Sequence, residues 1–249
     1  MKTVAVVPVF NHGGTVGAVV RALGGYGLPV ILVDDGSDAA TARVLDALAS
    51  TPPSGQPVAL LRHSENRGKG AAVLTGVRHA HESGASHALQ VDADGQHDLD
   101  AVPRFLSVSA QCPGAVIAAC PRYDASVPMG RKYARYITHV WVWINTLSRR
   151  IADSMCGFRL YPLAPVMLLL PVLNHARRMD FDTEILVRLD WAGVPVVNLP
   201  VAVRYPPDGI SHFRPWRDSL CISAMHARLF FGMLRRFPRL LSRHFRAAN

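Results

Sequence analysis

Acidic residues are in short supply, above all at one end of the chain. Against 27 Lys and Arg there are 18 Asp and Glu, a net charge of +9, and from Arg214 to Asn249 eight arginines face Asp218 alone. That tail carries a net +7, which leaves +2 for the first 213 residues. A nearly neutral body argues against a nucleic-acid groove running across the fold, and a basic tail points to an anionic surface met by one end. Cysteine patterning is also missing. Cys112, Cys120, Cys156 and Cys221 include no Cys-x-x-Cys pair, and a chain this long needs no disulfide staples, so reduced and mostly buried thiols of a cytosolic protein are expected. Long apolar runs are absent as well. Leu163 to Leu173 carries Pro165 and Pro171 and falls short of the roughly 20 residues of a spanning helix. The apolar start meets Pro8 and Asn11 without a small-residue cleavage site, so it reads as a first strand and not as a signal peptide. No repeat or low-complexity linker marks a second domain.

What the chain has instead is alternation. Val4–Val9, Val30–Val33, Val58–Leu61 and Ala88–Val91 are short apolar, largely β-branched runs, the pattern of strands buried on both faces of a parallel sheet. Helical stripes separate them: Val16, Val19, Val20 and Leu23 after a proposed cap at Thr15, then Val44, Leu45 and Leu48, then Val73, Leu74, Val77 and Ala80. This predicts an α/β, doubly wound, mostly parallel sheet with right-handed crossovers. Beyond Ala115–Ala119 the alternation fades into a helical stretch, Arg131–Arg150, a second apolar region at Ile185–Leu189, and an edge strand over Val194–Val203.

Each early strand ends in polar residues, and in such sheets ligands bind beyond the carboxyl ends of the strands. Asn11, Asp35, Asn66 and Asp94 are therefore expected on one rim. The densest of these turns is Val91-Asp92-Ala93-Asp94-Gly95-Gln96-His97. Two carboxylates one residue apart, followed by further oxygen donors, suit a hard cation such as Mg²⁺ or Mn²⁺ that bridges phosphates. Asp and Gly are equally favoured in plain surface turns, so the pair gains its meaning from the three companion turns.

The segments Val6-Val7-Pro8-Val9-Phe10-Asn11, Val33-Asp34-Asp35-Gly36-Ser37, Asn66-Arg67-Gly68-Lys69-Gly70, Asp92-Ala93-Asp94-Gly95-Gln96-His97, Pro121-Arg122-Tyr123 and Cys156-Gly157-Phe158-Arg159 span most of residues 4–205. In this order they resemble the family 2 inverting glycosyltransferases of GT-A fold, and within them the polyprenyl-phosphate sugar transferases of the dolichyl-phosphate mannose synthase type. The resemblance implies a glycosyltransferase domain over 1–213 and a tail over 214–249. It implies a nucleotide-sugar donor, with a GDP or UDP moiety, held by Pro8, Phe10, Asn11, Asp34, Asp35, Asn66, Lys69, Gly70, Asp92 and Ala93. Asp35 would meet base or ribose, though an Asx turn that starts a helix explains the same residues. In Asn66–Gly70 the glycines admit backbone amides to a phosphate and Lys69 adds charge. Asp94 would hold a divalent cation, with Asp92 on ribose or metal, Gln96 as a further ligand, and His97 ranked below them. Such a metal neutralises charge on the departing nucleoside diphosphate.

The implied acceptor is a polyprenyl phosphate. A phosphate monoester is largely anionic at neutral pH and needs positioning more than deprotonation, a task for Arg122, Arg131 and Arg204, which match phosphate-binding arginines of the relatives. A lipid or polyketide-like hydroxyl would need a base, for which Asp182 is the candidate, with a helix cap as its structural alternative. A nucleotidyltransferase and a non-catalytic sugar-nucleotide sensor are the more distant alternatives. Two departures from the family pattern are His12, where Asn-Glu is usual, and Pro206–Pro215, in which Gly209, Ser211 and His212 would form a lid. The tail, with Leu220, Leu229, Phe230 and Phe237 among arginines, reads as an amphipathic helix on the anionic cytoplasmic face of a membrane, or as a helix packed on the domain with a basic edge.

Overall fold

The computed structural model describes residues 1–122, 129–173, 175–176, 178–202 and 215–246, with backbone alone for 129–134, 215–217 and 244–246. Its sheet has the order β3-β2-β1-β4-β6-β5-β7. The strands are β1 Thr3–Val9, β2 Val30–Asp34, β3 Val58–Arg62, β4 His87–Gln90, β5 Val116–Arg122, β6 Arg159–Pro162 and β7 Val196–Ala202. The helices are α1 Gly13–Gly25, α2 Ala39–Ser50, α3 Lys69–Glu82, α4 Val102–Gln111, α5 Met129–Thr146, α6 Leu163–Leu173, α7 Phe181–Trp191 and α8 Pro215–Arg246. Every strand pairing is parallel except the two made by β6, which runs against β4 and β5.

The apolar runs of β1 and β2 are buried throughout because successive side chains serve opposite faces. Val4, Val6, Ile31 and Val33 join the cluster that holds α3, α6 and α7, whereas Ala5, Val7, Val9 and Leu32 join the one that holds α1 and α4. The predicted parallel, doubly wound α/β architecture is thus the observed one. β7 lies at the sheet edge, as its prolines suggest.

Three local expectations change. Helix α1 is capped at His12, not Thr15. The Thr15 hydroxyl instead donates to the Ala93 carbonyl at 2.6 Å, tying the first helix to the Asp92–Asp94 turn. Strand β6 follows the Cys156–Arg159 motif directly and carries a fully buried arginine, Arg159, so its polarity hides it from apolar patterning. Among the thiols only Cys156 is buried, Cys112 is exposed, and none is bonded to another.

The tail forms α8, and its inner face belongs to the domain. Met225, Leu229, Met233 and Leu240 are buried with Ile185, Leu189 and Trp191 of α7, at roughly 1.5–3 kcal/mol per side chain before conformational entropy is set against it. Charge follows the same seam. Arg228 pairs with Glu184 at 2.8 Å and Asp180 at 3.5 Å, and Arg243 donates to the Asp190 and Trp191 carbonyls at 2.7 and 2.6 Å. Among the described residues no helix is long and apolar enough to cross a membrane.

Candidate active site

The parallel strands end together, and their turns are tied to one another. Asn11 takes a left-handed conformation, φ 57°, which lets its backbone N–H reach the Ser37 hydroxyl at 3.1 Å while its side-chain oxygen accepts from Asp38 N at 2.8 Å. The turns after β1 and β2 are thereby fused. Asp34 accepts from Ser37 N at 2.9 Å and from Arg62 Nε at 2.8 Å. Asp35, 2% exposed, accepts from the backbone N–H groups of Arg67 and Gly68 at 2.9 and 2.7 Å and contacts His63 Nδ1 at 2.7 Å. His63 in turn meets the Thr75 hydroxyl at 3.0 Å. Asp35 is therefore the brace of the Asn66–Gly70 turn, which hands the chain to α3 at Lys69.

Lys69 stands at the centre of the rim. Its ammonium lies 2.8 Å from Asp182 Oδ2 and 2.8 and 2.9 Å from the two oxygens of Asp92, in hydrogen-bonding geometry with Asp92 Oδ2. Removal from water works against this cation, but the Asp182 and Asp92 carboxylates outweigh it and hold the Lys69 pKa well above the usual lysine value. Burial likewise opposes the Asp92 charge, and Lys69 and His97 together hold Asp92 well below the usual carboxylate range. His97 lies 3.3 Å from Asp92 Oδ2 and stacks on Phe158 with ring centroids 5.2 Å apart. Burial would lower its pKa, yet Asp92 and Cys156 raise it to about 10. His97, ranked last from sequence, is part of the constellation.

A buried polar seam supports this rim from below. Tyr161 donates to Gln90 Oε1 at 3.2 Å, and Gln90 Nε2 donates to Asp182 Oδ1 at 2.9 Å. Burial pushes the Tyr161 phenol up to about 12 against the pull of the Arg159 cation, which keeps it a donor. Arg159 donates to the Asp182 carbonyl and, at 2.6 Å, to the Ser154 carbonyl, fixing the start of α7 against the Ser154–Phe158 segment. Asp182 sits in the first turn of α7, whose N-cap is Asp180, so it is not the cap. Gly157 closes the arrangement: a Cβ there would fall 2.5 Å from Lys69 Nζ and 3.0 Å from Asp92 Oδ2. Gln90, Gly157, Arg159 and Tyr161 went unassigned in the sequence because their partners lie far along the chain. The Cys156–Arg159 motif was their one visible signal.

The remaining candidates are dispersed. Asp94 accepts from Gln96 N at 3.0 Å and is partly exposed, as are Phe10 and Asn66, with Pro8 and Ala93 buried beneath the rim. Arg122 is exposed at the carboxyl end of β5, Arg131 falls in the first turn of α5, and Arg204, Gly209, Ser211 and His212 lie outside the described residues. A groove of about 500 Å³ runs beside Asp34, Ser37, Arg62 and His63.

Among the described residues no three His, Cys, Asp or Glu side chains converge closely enough to cage a metal. Asp94 and Asp92 supply carboxylate oxygens at one rim, and Mg²⁺-type ions are commonly held by one or two carboxylates plus substrate phosphates. The donor set fits a cation shared with a diphosphate.

The family model described as glycosyl transferase family 2 matches residues 4–165. The chain is 27% identical over 217 residues to a dolichyl-phosphate beta-glucosyltransferase of Dictyostelium discoideum, covering 84% of this chain and 64% of that enzyme, and so spans just under two thirds of that relative. It is 30% identical over 214 residues to a UDP-N-acetylglucosamine–dolichyl-phosphate N-acetylglucosaminyltransferase of Methanococcus voltae, covering 80% of this chain and 84% of the other. In three dimensions it resembles glucosyl-3-phosphoglycerate synthase of Mycobacterium tuberculosis, solved with Mn²⁺, UDP and glucosyl-3-phosphoglycerate, with a TM-score of 0.58, 18% identity and coverage of 93% and 78%. At that identity the likeness establishes the fold.

Proposed function

Since the chain belongs to glycosyl transferase family 2, we propose that it transfers a sugar, with inversion, from a nucleoside-diphosphate donor to a polyprenyl phosphate at the inner face of a membrane. The observation that carries this is Lys69, held between Asp92 and Asp182 at the first residue of α3. A helix N-terminus favours the donor diphosphate through its free N–H groups and macrodipole, and Lys69, by balancing Asp92 and Asp182, keeps those carboxylates from repelling it. The two relatives named above act, by name, on dolichyl phosphate, which supports a lipid phosphate acceptor.

The chemistry at the acceptor side agrees. Both oxygens of Asp182 are engaged, one by Lys69 and one by Gln90, which suits a carboxylate that positions neighbours and makes it a poor base. A phosphate acceptor, already anionic, needs none, and is favoured over a hydroxyl acceptor for that reason. Arg122, at the carboxyl end of β5, and Arg131 would receive it, as guanidinium forks match phosphate oxygens. Asp94 would hold a divalent cation with Asp92 and Gln96 beside it, in keeping with the Mn²⁺ of the mycobacterial neighbour. That ion supplies Lewis-acid neutralisation of the leaving diphosphate. Asp34 lines the groove that would take the nucleoside and Asn11 ties its wall through Ser37, while Asp35 acts from behind as the brace of the Asn66–Gly70 turn.

The test is to incubate the full chain with Mg²⁺ or Mn²⁺, a panel of GDP- and UDP-sugars and total membrane lipid, then to weigh the lipids by mass spectrometry. A polyprenyl phosphate heavier by one sugar is the expected product. Pyrophosphate release, or no transfer from any donor, overturns the reading.

A further inference from the structure

Helix α8 has a second apolar face that is exposed among the described residues. Phe231, 63% exposed, and Leu234 and Phe237 point away from the buried row Met225, Leu229, Met233 and Leu240. Helix α5, packed alongside, does the same: Ile137, 60% exposed, Trp141 and Ile144 recur at helical spacing opposite the buried Val142 and Asn145. The two outward rows are joined by rings. Trp141 meets Phe230 edge-on with centroids 6.3 Å apart, and Phe230 meets Phe231 at 6.0 Å. The result is one apolar surface across two helices, of the kind soluble monomers rarely leave open.

We infer that the joint outward face of α5 and α8 is a docking plane for an anionic lipid bilayer, with Trp141 and Phe231 as its inserted anchors. This deepens the lipid-acceptor reading above and rests on it only for the identity of the cargo. A bilayer is favoured over a protein partner by composition and charge. The apolar rows are flanked by the exposed Arg235 and Arg239 on α8 and by Arg149 and Arg150 beyond α5, an amphipathic pattern suited to the headgroup boundary. An indole at the edge of such a face is at home in that zone. The plane is also wired to the active site. Asp153 takes Arg135 of α5 on one carboxylate oxygen, at 2.6 Å from Nε, and with the other accepts from Met155 N and Cys156 N at 2.9 and 2.8 Å. That turn is the one presenting Gly157 to Lys69 and Asp92.

The geometry also sets the character of the binding. Arg228 and Arg243 are turned onto α7, and Arg236 lies over the Trp191 ring at 4.8 Å, so less than the full basic count of the tail faces outward. Insertion of apolar side chains dominates, and charge tunes it.

The experiment is co-sedimentation of the full chain with phosphatidylcholine vesicles containing or lacking phosphatidylglycerol, without donor or acceptor. The wild type should pellet with the anionic vesicles. The pair Trp141→Glu and Phe231→Glu should weaken binding by about a hundredfold, about tenfold for each lost anchor, while Arg235→Glu with Arg239→Glu costs only several-fold. Circular dichroism and melting temperature should match wild type, and transfer to a short-chain, water-soluble isoprenyl phosphate should be retained. Failure of the wild type to bind vesicles, or equal binding by the anchor variant, overturns the inference. So does sedimentation velocity showing a wild-type dimer that the anchor variant dissolves in the absence of vesicle binding, since the face then belongs to a second copy. Vesicle binding without sugar transfer leaves the plane standing and sinks the proposed reaction.

Discussion

After β2 the chain reads Asp34-Asp35-Gly36-Ser37, and after β4 it reads Asp92-Ala93-Asp94-Gly95-Gln96, with Gly36 and Gly95 both at φ 73°. The two turns share their parts, yet their carboxylates face different company. Asp34 and Asp35 are 1% and 2% exposed and turn their oxygens toward backbone amides, Arg62 and His63. Asp92 takes two side-chain cations, Lys69 and His97, and Asp94 accepts from Gln96 N and is partly exposed. A carboxylate filled by backbone donors is structural, because nothing can replace those donors without unfolding the turn. One that faces a mobile ammonium can exchange partners during a reaction. Burial and partner type, more than the Asp-Gly pattern, separate brace from site.

Substitutions can break that contrast, beginning with the largest effect. Asp94→Asn should lower the initial rate of sugar transfer by about a hundredfold or more, as for loss of one strong electrostatic contact to a developing charge, with the melting temperature unmoved. Equal melting loss would make Asp94 a second brace. Asp35→Asn should show the reverse, losing about 3 kcal/mol in urea unfolding because its amide nitrogen must face the N–H groups of Arg67 or Gly68. A stable, inactive variant would return Asp35 to direct donor contact. Gly157→Ala tests the rim at closer range: the added methyl displaces Lys69 from its two carboxylates and should cost about tenfold in kcat together with a loss of unfolding free energy. Smallest is Arg62→Ala. Its partner Asp34 is buried but the guanidinium is 42% exposed, so an unfolding change of about 1 kcal/mol or less is expected.

The parallel framework was legible because strands covered on both faces must be apolar along their whole length, as Val4–Val9 and Val30–Val33 are. The shared rim followed from topology. What escaped were groups whose meaning depends on distant partners. Arg159 looks like a surface residue until its guanidinium finds the carbonyls of Ser154 and Asp182. Asp35 shows no sign in the sequence of the bracing hydrogen bonds it accepts from Arg67 and Gly68. His97 follows an Asp-rich turn unremarkably, and only Phe158, reached through β6, gives it a stacking surface. The tail's pattern suits both a helix docked on the domain and an amphipathic helix turned outward; its inner face is docked on α7, and its outer face is apolar and exposed.

Strand β6 enters the sheet backwards, between β4 and β5, and this imposes an order in time. Residues that form β1 to β4 and the turns after them all precede Asp182 in the chain, whereas Gln90 must wait for Asp182, 92 positions later. A chain still emerging from the ribosome would therefore have the turns after β1 to β4 in place but Lys69 held by Asp92 alone, and the rim would be complete only when the last third of the sequence had folded into place.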